Sequence, residues 1–416
     1  MVKNNFLPIF SYYTFVKVGS KFEYPGITGV SHFLEHLMFK GAKRYGLGDF
    51  EKMVEGKGGN SNAYTTMDLT VYHEEMPIST LASVIDLEAD RMENLLLDPN
   101  GVEKERQVIL EERKLRYENS PTGELQKQMM EKMFAGTPYE VPVIGSIPDI
   151  EKVSRKQIFD YFHHYYSPNN AIVLIVGDVN FEQTEKWMRE KYAQIPADLK
   201  VAATKKQILD RKGSISETFK LKANAGLKLV MKGPVASAIF AIVYPGHPLG
   251  TKESVIYDLL STLLGSGQSS YFYQEFVQPS QSQVSSFTAT HYTPAHAGLF
   301  IVQGEMLKGH TPENFYKVFL QKSHKICDQA ISERSLQKVK NQYLINFFKE
   351  LQTNSGVAEL FGNYEADFGD YQYYQHELHL IKELTADEVK SSCKRLFALK
   401  KPAFFVIQNK GSSHAK

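Results

Sequence analysis

The sequence predicts an α+β protein of two homologous domains, each a largely antiparallel sheet with helices packed on one face. Three observations support this. Strand-like and helix-like apolar patterns mix within each half of the 416 residues, a length that encloses two or more cores. A strand followed by a buried helix, spanning Phe10 to Phe39, recurs as an apolar strand at Ala238 to Tyr244 and a helix at Ser254 to Leu260. Between the halves, from about Pro196 to Lys222, the composition shifts to Lys, Ala, Ser and Thr. The expected organisation is a first domain over 1–200, a linker with an edge strand over 201–222 and a second domain over 223–416.

Lys and Arg number 48 against 47 Asp and Glu, a balance that argues against a dedicated nucleic-acid or membrane-surface protein. The short basic cluster Lys205-Lys206 and Arg211-Lys212 has no interleaved aromatic residues and reads as solvated linker. No apolar run approaches the ~20 residues of a membrane span, and Met1 to Asn5 lack a secretory apolar core.

The first helix carries the chemistry. In Gly29 to Phe39 two histidines stand four apart, with a glutamate between them and apolar residues around them. At ~100° per residue, Glu35 falls near 300° and His36 near 40° from His32, while Phe33, Leu34, Leu37 and Met38 fill the other arc. Burying two imidazoles and a carboxylate without partners costs several kcal/mol, and a divalent cation satisfies them most simply. Two satisfied core histidines would give the same pattern, so a third ligand decides. A closed structural zinc site needs four protein ligands, whereas a catalytic one takes three and leaves a place for water. Glu35 diverges from His36 by ~100° and suits a general base better than a ligand.

Next, Asn62 to Tyr72 reads as one strand after a Gly58-Gly59 turn. Glu103 to Leu115 reads as a helix of strong formers. With Glu105 at zero, Val108, Ile109 and Leu115 lie near 300°, 40° and 280°, and Glu112 at ~340° sits at the centre of that apolar arc. Glu112 is therefore the third-ligand candidate; Glu103 and Glu111 read as solvated. A strand at Ala171 to Val176 closes the first half.

In the second half, Gly265-x-Gly267 lacks the third glycine and the lysine of a phosphate loop and reads as a turn. His73, His163, His164, His291 and His296 are expected as surface or core histidines. Tyr371, Tyr373 and Tyr374 are expected to pack ordinarily. Cys327 and Cys393, far apart in the chain, read as two unrelated core thiols.

The motif His32-x-x-Glu35-His36, with 75 residues between His36 and Glu112 and a second glutamate, Glu105, seven residues before it, resembles the M16 family of inverse-zinc metallopeptidases. Pitrilysin, insulysin and the mitochondrial processing peptidase belong to that family, and the chain is most similar to its bacterial two-domain branch. Family-like stretches run from Val16-Lys17-Val18-Gly19-Ser20 through Phe39-Lys40-Gly41, Asn62-Ala63-Tyr64-Thr65 and Leu87 to Met92, to Tyr165 to Asn170. The resemblance implies one Zn2+ per chain on His32, His36 and Glu112, Glu35 as general base and Glu105 orienting the ligands. It also implies an extended peptide substrate adding to a sheet edge at Asn62 and Ala63, and a soluble bacterial protein of cytoplasm or periplasm.

The sequence departs from the family twice. Relatives begin with another strand before the segment matching Phe6 to Ser20, so either the numbered chain is trimmed or the sheet lacks an edge strand. Active relatives carry an arginine and a tyrosine after the segment matching Ser269 to Glu275, yet Phe276 to Ser285 contains neither. The resemblance also implies that peptide is enclosed by four homologous domains, of which this chain supplies two. The expectation is a zinc endopeptidase subunit in a heterodimer with a related metal-free subunit that supplies the Arg/Tyr pair, or otherwise a homodimer. The alternatives are a non-catalytic assembly protein of the same fold and a zinc hydrolase of a non-peptide substrate.

Overall fold

The computed structural model describes residues 1–209 and 226–409. Each of its two compact units is built on a five-stranded sheet. In the first unit, β1 (Val2–Lys3), β2 (Ile9–Val16), β3 (Asn60–Thr65), β4 (Thr70–Pro77) and β5 (Ala171–Gly177) lie in the order β1-β5-β2-β4-β3. β1 is parallel to β5 and every other pairing is antiparallel. In the second, β6 (Lys228–Gly233), β7 (Ile239–Pro245), β8 (Val284–Tyr292), β9 (Leu299–Met306) and β10 (Ala403–Asn409) lie in the order β6-β10-β7-β9-β8. Again only the first pairing, β6 with β10, is parallel. The two sheets share one topology, so the recurring strand-then-helix pattern reflects a structural repeat.

Alternation along β2 sets the layers of the first unit. Phe10 and Tyr12 join Met76 and Ile175 on one face, under α2 (Asp49–Val54), α3 (Leu81–Glu93) and the helix Phe181–Tyr192. Tyr13 and Phe15 face the other way with Val71 and Val176, beneath Val357, Ala358 and Ala366 of the helix Asn354–Phe368. Gly362 rests on the Phe15 ring, where a Cβ would collide.

That late helix changes the expected domain boundaries. The units are not the contiguous stretches 1–200 and 223–416: Phe347–Tyr374 belongs to the first unit and Lys114–Glu140 to the second. An amphipathic helix shows that it covers something, but not which sheet. Val201–Leu209, expected as linker, is a helix. Its Lys205 ammonium donates to the Lys17 carbonyl at 2.7 Å and the Asn170 side chain at 3.2 Å, and burial lowers its pKa to about 8. The rest of the expected linker and edge strand, 210–222, lies outside the described residues, Arg211 and Lys212 included.

Other expectations change locally. The single strand expected over Asn62 to Tyr72 is the β3–β4 hairpin, because the Thr66 hydroxyl accepts from the amides of Asp68 at 3.1 Å and Leu69 at 2.9 Å and turns the chain. The sheet does not lack its first edge strand: Val2 and Lys3 pair with Val176 and Gly177. Gly265 ends the helix Lys252–Gly265 and Gly267 turns at φ 74°. Tyr373 stacks on Phe368, and Tyr374 packs on Phe347 and Phe361.

The second unit buries an aromatic cluster of Phe240, Phe272, Phe276, Phe287, Phe315 and Phe319. In the same core Cys327 and Cys393 form a disulfide, joining the helices Pro312–Ala330 and Ala386–Phe397. They are not unrelated thiols, since helix packing brings residues 66 apart in sequence to a Cα separation of 5.7 Å. Replacing Cys393 by Ser is expected to lower stability by about 2–4 kcal/mol, as measured by urea denaturation. An unchanged midpoint would show that the bridge contributes nothing.

The first core holds an ionic group that apolar patterning does not reveal. Arg91 on α3 donates to Glu88 at 2.7 Å and Glu74 at 3.3 Å, all three side chains being buried. Its guanidinium lies 4.7 Å from the Tyr72 ring centroid, 5.0 Å from Phe50 and 5.4 Å from Phe39. Burial and the neighbouring Glu88 charge hold Glu74 far above the usual carboxylate range, so one cation and one proton serve two acids. Arg91→Ala would leave a buried carboxylate without its cation and is expected to cost about 3–5 kcal/mol in a denaturant titration. A loss under about 1 kcal/mol would contradict this account.

Candidate metal centre

The two histidines sit on α1 (Val30–Leu37), a helix of only eight residues whose start is fixed from outside. The Glu23 carboxylate accepts from the backbone amides of Gly29 at 2.6 Å and Ser31 at 2.8 Å, satisfying donors that a helix N-terminus leaves open. Burial pushes Glu23 up to about 7 against the pull of those amides. Gly29 adopts φ 92°, and a Cβ there would run into the Ile144 carbonyl. The loop before α1 is also tied by Asp149, which accepts from the Thr28 hydroxyl at 2.5 Å and the Gly26 amide at 3.1 Å.

Opposite α1 lies α4 (Pro99–Arg113). The sequence placed Val108 and Leu115 on its buried arc, but they are 50% and 68% exposed. The buried line is Val102, Glu105, Arg106, Ile109 and Arg113, with Glu112 half-buried on its flank and not at its centre. Charged residues serve this face because the last turn of the helix Ile147–Lys152 and the loop before it offer bare carbonyls. Arg113 donates to Gly145 O at 2.9 Å, and Arg106 donates to Val153 O at 2.9 Å and to Ile150 O. Glu103 and Glu111 are exposed as expected.

This packing brings His32, His36 and Glu112 together, with potential ligand atoms all within 4.8 Å of one another. Among the described residues no other group of three or more His, Cys, Asp or Glu does so. His36 Nε2 is 3.4 Å and His32 Nε2 3.7 Å from one Glu112 oxygen. Zinc ligands about 2.0–2.1 Å from a tetrahedral ion stand about 3.3–3.5 Å apart, so the 3.4 Å pair matches and the 3.7 Å pair needs a shift of a few tenths of an ångström to fit. The other His36 nitrogen, Nδ1, is 2.9 Å from Glu105, whose second oxygen meets Lys40 at 3.0 Å. A carboxylate on Nδ1 fixes the tautomer that turns Nε2 toward a metal. Burial disfavours the His36 charge, but Glu105 and Glu112 outweigh it and raise its pKa to about 9. Burial also opposes the Glu105 charge, yet His36 and Lys40 draw its pKa below the ordinary value.

Glu35 lies on the same helix and accepts from the Thr65 hydroxyl of β3 at 2.5 Å. Asn62 and Ala63 also lie on β3, at one edge of the first sheet. Thr66 N donates to Leu69 O at 2.7 Å, so in the register Tyr64 with Val71 and Asn62 with His73 the even-numbered residues bond to β4. Ser61, Ala63 and Thr65 therefore aim their amides and carbonyls at the open edge. The Asn62 side chain caps one of them, accepting from Ala63 N at 2.9 Å.

Sequence reasoning missed Thr65 and Glu23. Thr65 stood within the recognised Asn62-Ala63-Tyr64-Thr65 stretch, and Glu23 stood six residues before Gly29 with no local signal. The remaining histidines form no metal group among the described residues. His291 meets Asp258 at 2.8 Å, His164 meets Asp198 at 2.7 Å and His73 stacks on Tyr13, so two of them do have acidic partners, but only in pairs.

Residues 8–146 match the family described as Insulinase (Peptidase family M16), and residues 152–343 match the Peptidase M16 inactive domain. The chain is 32% identical to the zinc protease PqqE of Helicobacter pylori over 351 residues, which cover 84% of this chain and 76% of that protein. A crystal structure of a protease from Helicobacter pylori superimposes with a TM-score of 0.85 at 27% identity, covering 98% of this chain and 95% of that one. A Pseudomonas fluorescens structure titled as a peptidase M16 inactive domain gives a TM-score of 0.83 at 14% identity, over 99% and 95% of the two chains, a likeness of fold alone.

A raised His36 pKa stabilises the fold fully below the ordinary value of about 6.5, and that stabilisation is lost as pH rises through about 9. A metal must displace this proton. Zinc binding near pH 7 is expected to release about one proton from His36 and to tighten about tenfold per pH unit up to about 9. Calorimetry in buffers of differing ionisation enthalpy measures this, and proton-neutral binding would contradict the assignment.

Proposed function

The chain belongs to peptidase family M16, and on that premise we propose that it is a zinc-dependent endopeptidase acting on extended peptides, as the catalytic subunit of a heterodimer. The observation that carries this reading is the convergence of His32 Nε2 and His36 Nε2 on one Glu112 oxygen, with Glu105 behind His36.

His32, His36 and Glu112 would hold the ion, which when bound supplies Lewis-acid polarisation of the scissile carbonyl and acidifies water. The protein's own part is orientation and proton movement. Glu35, one residue before His36 but turned ~100° from it, takes the proton of the attacking water and returns it to the departing amine. Glu105 keeps His36 in its tautomer and Lys40 keeps Glu105 in place. The outward amides and carbonyls of Ser61, Ala63 and Thr65 pair with a peptide backbone, giving affinity with little sequence preference. Asn62 must release the Ala63 amide as peptide arrives.

The partner reading rests on the resemblance. Phe276 to Ser285 carries neither arginine nor tyrosine, so a related metal-free subunit would supply that pair. No helix among the described residues is long and apolar enough to cross a membrane. The Cys327–Cys393 disulfide favours an oxidising compartment such as the bacterial periplasm.

Glu35→Gln is expected to retain one zinc per chain by elemental analysis while losing about 10²–10⁴-fold in kcat on an unstructured peptide. His32→Ala should lose the zinc. Full peptidase activity from the purified chain without a homologous subunit would refute the heterodimer. A chain that binds no zinc would favour a non-catalytic member of the fold.

A further inference from the structure

Thr65 on β3 faces both the open edge and the general base. Its hydroxyl donates to Glu35 Oε2 at 2.5 Å, while its own amide and carbonyl point away from β4, because Thr66 and Tyr64 make the bonds to that strand. Its side chain shares a face with Ala63, which pairs with Tyr72, and the Tyr72 ring packs near Phe39 just beyond α1. Below Thr65 the hairpin turn is held on two sides: Thr66 O accepts from Ser20 N at 3.2 Å, and the Thr66 hydroxyl accepts the amides of Asp68 and Leu69. The end of β3 is therefore anchored from below and open at its edge.

We propose that Thr65 is a positioning residue that couples peptide docking to alignment of the base. This rests on the peptidase reading. A peptide strand that pairs with the outward groups of Thr65 fixes its backbone, and β-branching confines its χ1, so the hydroxyl holds one Glu35 oxygen at a set angle. A docked strand thereby stiffens the Thr65–Glu35 hydrogen bond and keeps the carboxylate directed as a proton acceptor. Misplacement of a base by about 1 Å costs on the order of 100-fold in rate, so the effect falls on kcat and spares peptide affinity.

Thr65→Val keeps the shape and strand preference but removes the donor, and Thr65→Ser restores it. Both would be measured with the partner subunit present, by zinc content, by kcat and KM on a quenched unstructured peptide, and by anisotropy of that peptide on the zinc-free protein. Thr65→Val is expected to keep its zinc, its KM and its peptide Kd within about threefold while kcat falls on the order of 10- to 100-fold. Thr65→Ser should recover most of that loss. An unchanged kcat in Thr65→Val, a Ser variant no better than Val, or a Kd loss as large as the kcat loss would overturn the proposal. If the wild-type protein binds zinc yet cleaves no peptide, the peptidase reading fails separately. The positioning role is then decided by zinc-loaded crystal structures: a displaced Glu35 carboxylate in Thr65→Val supports it and an unmoved one overturns it.

Discussion

Everything at the centre depends on packing two histidines and two glutamates between α1 and α4 without stranding their polar atoms. A short helix cannot hold such a load by propensity, so its surroundings hold it. The Glu23 carboxylate closes its N-terminus, glycine at position 29 allows the close approach of the Ile144 backbone, and Asp149 ties down the preceding loop. Facing it, α4 is itself fastened through arginines that occupy loop carbonyls. The result is a set of nitrogen and oxygen atoms at spacings a small divalent cation requires.

The same topology without that constraint appears in the second unit. There the sheet meets the helix Lys252–Gly265 and a cluster of phenylalanines, reinforced by the Cys327–Cys393 bridge. Its chemistry is that of a core. The first unit instead carries ionic groups close to its site, with Arg91 serving Glu74 and Glu88 among the rings of Phe39, Phe50 and Tyr72. Tyr72 also reaches Tyr166 at 3.0 Å. Phe39 comes directly after the histidine helix and Tyr72 stands opposite Ala63 in register, so this buried network braces the two elements that frame the site.

Much of this was legible in the residues, though for unequal reasons. The His32, Glu35 and His36 stripe was readable because helical geometry converts spacing into direction. Glu112 was found on partly mistaken grounds: Val108 and Leu115 are exposed, and α4 buries Arg106 and Arg113 in their place. Helical angle gave the relative direction of each residue correctly, but apolar content misjudged which direction was inward, because the opposing surface offers backbone carbonyls and the histidine helix to this face of α4. The hairpin at Thr66 was missed since its turn is made by a hydroxyl and not by glycine or proline. The cysteines were misread because 66 residues of separation carry no information about distance across a packed helix pair.

Periodicity and local chemistry let the sequence alone determine the mixed strand and helix class, its repetition in the two halves, and the polar stripe of His32, Glu35 and His36 on α1. Tertiary structure decided everything that depends on which surfaces meet. It assigned the helix Asn354–Phe368 to the first sheet and Pro121–Met133 to the second unit. It set Glu105 behind His36, Glu23 at the helix start and the Thr65 hydroxyl on Glu35. The physical reason is that a hydrogen bond between distant residues leaves no periodic trace in the chain; it exists only once burial has fixed both partners within about 3 Å.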